Sequence, residues 1–298
     1  MERIGELAAF ATAVSWSLGA LFFERGVKQI GVLSVNFLKV IIAFVLLTIT
    51  AFFMRGLPLP LDASLYTIVI LSLSGFVGFV ITDMFLFTAY KIVGPRITML
   101  FMALSPIITA GIAFLFLDET LDIKSALGMG LVISGIFITV FAKQNSVSFS
   151  KINKEDRRGY IFAILATIGQ SIGVILTKIG IGDYHPVSGT QIRLFTAIIG
   201  FALMSLFYTK GRNIKEALKN PEGLKFTAIG SIFGPFLGVT LSLVAIQRVN
   251  VGIASTLMGL TPVIIILPEL LFFKRKIKPL EILGALVAVS GTAVFFLV

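Results

Sequence analysis

The chain repeats one apolar segment, and this repetition constrains its fold more than any other feature. Residues 100–106 read LFMALSP and residues 256–262 read TLMGLTP, so the two copies lie 156 residues apart. Nearer the start of each half the spacing is 154 residues. Pairs at these two spacings include Gly19 and Gly173, Lys39 and Arg193, Gly78 and Gly234, Ala89 and Ala245, Gly128 and Gly284, and Gly135 and Gly291. Two copies of one apolar unit are typical of membrane proteins built around a pseudo-symmetry axis.

The composition indicates a membrane protein. Hydrophobic residues make up 57% of the 298-residue chain and charged residues 13%, whereas soluble domains carry roughly 25% charged residues. The chain has no cysteine and a single histidine, His185. Thiol chemistry and multi-histidine metal centres are therefore excluded, and we expect no cofactor. The net charge of +10 fits basic cytoplasmic loops better than a nucleic-acid partner.

Ten apolar runs are long enough to cross a bilayer, for which a helix needs about 20 residues. They are residues 7–23, 32–53, 65–86, 97–117, 123–142, 159–180, 187–208, 224–246, 252–273 and 280–298. We therefore predict an all-α integral membrane protein with ten transmembrane helices, with residues 90–96 as the turn between the third and fourth spans. The first five-helix repeat is predicted over residues 1–143, a polar connecting loop over 144–158 and the second repeat over 159–298. Because five is an odd number, the second copy should enter the membrane inverted.

Lysines and arginines gather in alternate loops. The loops after the odd-numbered spans hold eighteen of them, and the opposite side holds four. Because basic loops stay in the cytoplasm, this asymmetry predicts that both termini lie outside. We expect a multi-pass protein of the cell membrane, the inner or plasma membrane of a prokaryote.

Several of these features together resemble the drug/metabolite transporter superfamily, EamA type. They are the five-plus-five repeat, Trp16 in the first helix, the turns at Ser105–Pro106 and Thr261–Pro262, and the segment FLFLDETLDIKSALGMGLVISG (114–135). Glu119 stands at the acidic position usual in that family, whereas Arg275 stands at the matching place of the second copy. The resemblance implies a secondary carrier for small metabolites such as amino acids, nucleotide sugars, sugar phosphates, polyamines or toxic organic compounds.

Charged side chains inside the predicted spans need a physical reason, because inserting one costs about 2.5–3.5 kcal/mol. Lys39 and Arg193 are repeat partners in spans 2 and 7, and at opposite ends of one pathway they could attract a carboxylate or phosphate. Asn36 lies one helical turn before Lys39. Asp83 is expected on the same side as Lys39, either as its ion-pair partner or as a protonatable group that couples transport to protons. Snorkelling of both cations to the interface is the alternative.

Three further pairs of repeat partners are candidate substrate contacts. Trp16 and Gln170 lie mid-span, where they either donate hydrogen bonds into a cavity or face lipid and neighbouring helices. The other candidates are Met102 and Met258, and Ser105 and Thr261. A proline follows each hydroxyl residue and permits a bend at matched places. Such bends suit a rocking motion, and simple packing explains them equally well.

These observations predict alternating access by two inverted halves around a midplane cavity, walled mainly by spans 1–4 and 6–9. The expected partners are a small-molecule substrate and membrane lipids, with protons as a candidate coupling ion and a monomer or homodimer as the assembly. Amino acids or related organic anions are the favoured cargo, and export is the favoured direction. A lipid flippase or scramblase on the same fold is the alternative, whereas the polar mid-span groups argue against a partner-dependent scaffold. An intramembrane enzyme lacks the necessary cluster, since Asp83 is isolated and His185 lies in a loop, so no catalysis is expected.

Overall fold

The computed structural model describes residues 3–142, 154–267, 270 and 278–297, and all regular structure in them is helical. The first half contains α1 (Ile4–Ile30), α2 (Val32–Arg55), α3 (Leu65–Gly75), α4 (Thr82–Met102), α5 (Ser105–Phe116) and α6 (Ile123–Ala142). The second half contains α7 (Lys154–Ile181), α8 (Pro186–Thr209), α9 (Arg212–Ala217), α10 (Pro221–Ser231), α11 (Val239–Arg248), α12 (Val251–Met258), α13 (Thr261–Ile264) and α14 (Pro279–Leu297).

Seven helical runs among the described residues are long and apolar enough to cross a membrane. Three shorter apolar helices accompany them, over Ser105–Phe116, Val251–Ile264 and Pro279–Val294. Large apolar side chains such as Phe53 and Phe207 remain 80% exposed on the outside of the bundle. Such a surface is stable against lipid and unfavourable in water, so the chain is a multi-pass membrane protein.

Matched capping residues begin the third span of each half. Ser64 accepts a hydrogen bond from the N–H of Thr67 at 3.1 Å, and Asn220 accepts one from the N–H of Gly223 at 2.8 Å. Ser64 and Asn220 are repeat partners at the 156-residue spacing. Each side chain satisfies a donor that the first helical turn leaves unpaired, so the two copies begin at equivalent positions.

The turn predicted at residues 90–96 is absent, because α4 continues through them to Met102. The break lies instead at residues 103–104, so the predicted fourth span is divided between α4 and α5. Packing along α7 favours the longer helix, since Phe85 stacks on Phe162 and a Cβ at Gly159 would lie 2.4 Å from Val93. Tertiary contact thus overrides the local preference of Gly94 and Pro95 for a turn.

Each half also contains a π-helical segment, inserted at the same repeat position. The first segment is Phe76–Ile81, between α3 and α4, and the second is Ile232–Gly238, between α10 and α11. Their starts lie 156 residues apart. The π-helix is rare and occurs mostly at functional sites, so its duplication directs attention to the space between these segments.

The first helix of each half packs against the third span of the other half. Helix α1 lies on α10, α11 and the π-segment between them, while α7 lies on α3 and α4. A Cβ at Gly19 would lie 3.1 Å from the nitrogen of Gly234, and one at Gly173 would lie 2.9 Å from the Cα of Gly78. The two contacts are equivalent under the repeat, because Gly19 corresponds to Gly173 and Gly78 corresponds to Gly234.

Two further helix pairs join the halves, and both run antiparallel. In the α6–α14 pair, a Cβ at Gly291 would lie 2.7 Å from the carbonyl of Gly128, and one at Gly284 would lie 2.8 Å from that of Gly135. In the α2–α8 pair, the C-terminal Arg55 donates a hydrogen bond to Ser188 near the start of α8. The described parts of the two halves are therefore interlocked through several helix pairs.

Candidate functional site

A cavity of about 280 Å³ lies between the two halves, beside both π-segments. Of the eighteen lining residues that the structure describes, sixteen form eight repeat pairs. These are Trp16 and Gln170, Ala20 and Val174, Phe23 and Thr177, Lys39 and Arg193, Gly78 and Gly234, Phe79 and Pro235, Asp83 and Val239, and Met102 and Met258. A space lined by equivalent residues of both copies lies on the pseudo-symmetry axis, where membrane carriers bind their substrates.

The structure brings Lys39 and Asp83 together in this cavity, as the sequence suggested for an ion pair. Nζ of Lys39 lies 3.1 Å from Oδ2 of Asp83. The two side chains are only 12% and 14% exposed, and the ammonium lies 5.5 Å from the ring centre of Phe23. Their mutual attraction offsets much of the cost of removing both charges from water.

Arg193 lies in the same cavity in a different electrostatic setting. It is 7% exposed, and its guanidinium lies 5.1 Å from the ring centre of Phe79. Among the residues that the structure describes, its Nε has no hydrogen-bond partner and no carboxylate pairs with it. Close approach of α8 to the first half is possible because position 75 is glycine, where a Cβ would lie 2.4 Å from the Arg193 carbonyl.

Trp16 faces the cavity beside glycines of the second half. A Cβ at Gly238 would lie 2.4 Å from Cδ1 of Trp16, and one at Gly230 would lie 2.7 Å from the ring of Phe23. These glycines therefore make room for aromatic side chains. On the opposite wall, the side-chain amide of Gln170 makes no hydrogen bond with any residue that the structure describes, which leaves it available to a ligand.

Ser105 and Thr261 lie outside the cavity lining, and their backbone carbonyls, next to the two prolines, are bound by serine hydroxyls of the other half. Ser171 donates a hydrogen bond to the carbonyl of Ser105, and Ser17 donates one to the carbonyl of Thr261, both at 3.1 Å. These contacts also interconvert when the halves are exchanged. Their role is to fix the bends that place Met102 and Met258 at the cavity.

Asn36 also lies outside the cavity lining. It is 3% exposed, and its Oδ1 has no hydrogen-bond partner among the described residues. Seven of the ten predicted substrate contacts therefore line the cavity, and Asn36, Ser105 and Thr261 do not.

Glu119 binds the start of α12. Its Oε2 accepts a hydrogen bond from the N–H of Val251 at 2.6 Å, and its Oε1 lies 3.3 Å from Nζ of Lys178. Lys178 also donates to the carbonyls of Ile246 and Val249, at 2.7 and 3.2 Å. A carboxylate at a helix N-terminus and an ammonium at carbonyl groups are both favourable placements. Arg275, the repeat counterpart of Glu119, lies outside the described residues.

A second polar cluster joins the halves where α2 ends and α8 begins. Arg55 binds Asp62 and Ser188, and the hydroxyl of Tyr184 donates to Oδ1 of Asp62 at 2.9 Å. The hydrogen bond from Arg55 holds the pKa of the Asp62 carboxyl below its usual value. Burial, followed by the nearby Arg55 charge, lowers the pKa of His185. His185 lies near this cluster and is absent from the lining of the central cavity.

A larger groove of about 540 Å³ opens beside this cluster. Apart from Thr50 and Met54, the lining residues that the structure describes belong to the second half. It therefore lacks the paired lining of the central cavity, which makes it the weaker candidate for a carrier's binding site.

Sequence reasoning missed Phe23, Phe79, Thr177, Val239 and Ser242, which also line the cavity. A search for polar and charged groups inside spans passes over apolar residues, although these form most of a binding wall. The 156-residue spacing would have found Val239 from Asp83.

Two interlocked helical halves around a paired central cavity define the class of polytopic membrane transport proteins. The EamA-like transporter family matches residues 3–141 and 157–297, and the chain belongs to that family. An uncharacterized transporter of Archaeoglobus fulgidus is 23% identical over 291 residues, which cover 98% of this chain and 97% of the relative. A protein crystal structure of 18% sequence identity has the same fold, with a TM-score of 0.76 over 100% of this chain and 97% of the other.

Proposed function

We propose that this protein is a secondary carrier that moves a small organic metabolite across the membrane by alternating access. The observation that carries the proposal is the cavity of repeat pairs at the junction of the halves. Ten spans arranged as an inverted five-plus-five repeat would make the two ends of this cavity equivalent, so that one motion closes one end and opens the other. The antiparallel α2–α8 and α6–α14 pairs support this arrangement.

The chemistry of the cavity favours an amphipathic cargo of the size of an amino acid. Aromatic rings and two methionines supply an apolar wall, while Gln170, Thr177 and three charged side chains supply polar contacts. Pockets that combine an apolar lining with a few placed polar groups are typical of small-molecule sites. Amino acids and related organic anions are the proposed cargo, and export is the proposed direction.

Flux across reconstituted vesicles tests the proposal. The wild-type protein should exchange labelled apolar amino acids in a counterflow assay. Ala20→Phe should abolish that exchange, because the new ring fills a cavity in which Ala20 is a lining residue. Ala126→Phe introduces the same change at an exposed position on α6 and should leave exchange unchanged. Exchange that survives Ala20→Phe, or a wild-type protein that exchanges none of them, would contradict the proposal.

The lipid flippase alternative has one specific observation in its favour, the large groove beside α2, α8 and α11. The same vesicles can contain a fluorescent phospholipid in one leaflet. A carrier of soluble metabolites should leave the lipid distribution unchanged. Lipid movement that Ala20→Phe does not affect and that Thr240→Trp in the groove abolishes would assign the transport path to the groove instead.

A further inference from the structure

The central cavity is symmetric in position and asymmetric in charge. Lys39 and Arg193 are repeat partners, and Asp83 and Val239 are repeat partners as well. Asp83 supplies the carboxylate that pairs with Lys39 at 3.1 Å. At the equivalent place in the second half, the chain supplies the apolar side chain of Val239, which lines the same cavity as Arg193. Lys39 therefore has a carboxylate counterion within the chain. In the second half, the residue that corresponds to Asp83 is the apolar Val239.

The burial of Arg193 makes this difference significant. Arg193 is 7% exposed, and its Nε has no hydrogen-bond partner among the described residues. Its guanidinium lies 5.1 Å from the ring centre of Phe79, and a ring face only partly compensates a desolvated guanidinium. Buried charges are normally paired. Arginine also presents a planar fork of donors that matches a carboxylate bidentately.

Aromatic and hydrogen-bonding residues of the cavity wall are also distributed unevenly between the two halves. Trp16 and Phe23 stand in the first half where Gln170 and Thr177 stand in the second. The first half thus offers aromatic surface, and the second offers hydrogen-bonding groups together with Arg193. A ligand with an apolar body and a single anionic end would complement both walls within about 280 Å³.

We propose that Arg193 binds the carboxylate of a small monocarboxylate with an apolar or aromatic body, and that Val239 marks the place this carboxylate occupies. The described charged groups of the cavity carry one net positive charge, because Lys39 and Asp83 neutralise each other. The Lys39–Asp83 pair joins α2 to α4 and leaves the anion to Arg193. This inference takes its biological meaning from the proposed carrier function, but the binding step can be measured without transport.

The first test introduces a counterion for Arg193 by a substitution in the chain. Val239→Asp should place a carboxylate beside Arg193, as Asp83 stands beside Lys39. The melting temperature of this variant should exceed that of the matched Val239→Asn control, in which the new side chain has similar size and no charge. Equal melting temperatures, or a lower one for Val239→Asp, would show that position 239 does not face the guanidinium and would overturn the proposal.

The second test measures binding through Trp16, the single tryptophan of the chain, whose ring lines the cavity. Purified protein is titrated with 3-phenylpropionate, phenylalanine and phenylalaninamide while Trp16 emission is recorded. The two carboxylates should change the emission, and the amide should bind at least about tenfold more weakly, because it cannot form the charge-assisted hydrogen bonds. Binding of the amide as tight as that of the carboxylates, or no response to any of the three, would overturn the proposal.

Variants assign the response to Arg193. Arg193→Met should weaken carboxylate binding about tenfold or more, and Arg193→Lys should retain part of it because the charge remains. Val239→Asp should also lose binding, whereas Val239→Asn should retain it. Unchanged affinity in Arg193→Met and in Val239→Asp would refute the assignment. Carboxylate binding without flux in vesicles would count against the carrier function alone, and flux without carboxylate selectivity would count against this inference alone.

Discussion

The Lys39–Asp83 pair lies where either charge alone would be unfavourable. Both side chains are largely buried and their charged atoms are 3.1 Å apart. Replacing both members of such a pair by neutral residues is often tolerated, whereas removing one leaves an uncompensated charge. The stability of the protein therefore depends on the two residues jointly.

A double-mutant cycle tests this dependence. Lys39→Met should lower the free energy of unfolding by about 3–5 kcal/mol, because Asp83 then lies buried without its cation. Adding Asp83→Asn to that variant should recover most of the loss. Chemical denaturation in detergent measures both values, and additive effects of the two substitutions would refute the coupling.

In vesicles, an altered pH dependence of flux in Asp83→Asn alone would assign Asp83 a proton-coupling role.

The predicted substrate contacts that have both a repeat partner and a chemical reason to lie inside a span are found close together, and their role as substrate contacts stays a prediction. Lys39, Arg193, Trp16 and Gln170 all line the cavity. Asn36 is polar and lies one turn from Lys39, yet it faces the interior of the bundle away from the cavity. A helical stripe identifies a buried face, but it does not distinguish a neighbouring helix from an open space.

At the scale of elements, the start of α12 depends on a side chain from the other half. The N–H of Val251 donates to Glu119 at 2.6 Å, which satisfies one of the donors that every helix leaves unpaired in its first turn. Lys178 holds the same carboxylate from α7. The loop after α5 thereby fixes where α12 begins.

Hydrogen exchange of the first amides of α12 tests this dependence. Glu119→Ala should speed their exchange, because loss of a capping acceptor costs about 0.5–2 kcal/mol. Glu119→Gln retains an acceptor for the N–H of Val251 and should show an intermediate rate. Wild-type protection of these amides in Glu119→Ala would show that the cap does not stabilise the helix.

Hydropathy alone located most elements, because a helix in lipid must satisfy its backbone internally. The ends of α2, α6 and α8 lie within two residues of the predicted spans. The turn expected at residues 90–96 failed because packing against α7 outweighs the preference of Gly94 and Pro95. The π-segments have no hydropathy signal at all, and only the coordinates reveal them.

At the scale of the whole molecule, the loop charges predict an orientation that labelling can test. The chain contains no cysteine, so the wild-type protein provides a blank for thiol reagents. Leu61→Cys lies in an exposed loop between α2 and α3, and Lys219→Cys in an exposed loop between α9 and α10. A membrane-impermeant maleimide should label the Leu61 variant in intact cells and the Lys219 variant only after permeabilisation. The reverse pattern, or labelling of both from outside, would overturn the predicted orientation.

The repeat made the whole-molecule prediction possible, since a spacing in sequence implies an operation in space. It could not indicate which helices of the two halves would touch. The contacts of Gly19 with Gly234 and of Gly173 with Gly78 arise from shape complementarity between halves, which no single-sequence pattern records.

Those glycine contacts bear on how such a chain could be divided. Helix α1 packs on the second half, and α7 packs on the first half. The arrangement therefore resembles a domain-swapped dimer whose two subunits are joined in one chain. A peptide ending before the connecting segment would lack the surface on which its own first helix rests. The two halves, produced together as separate peptides, should therefore assemble by packing the first helix of each on the other.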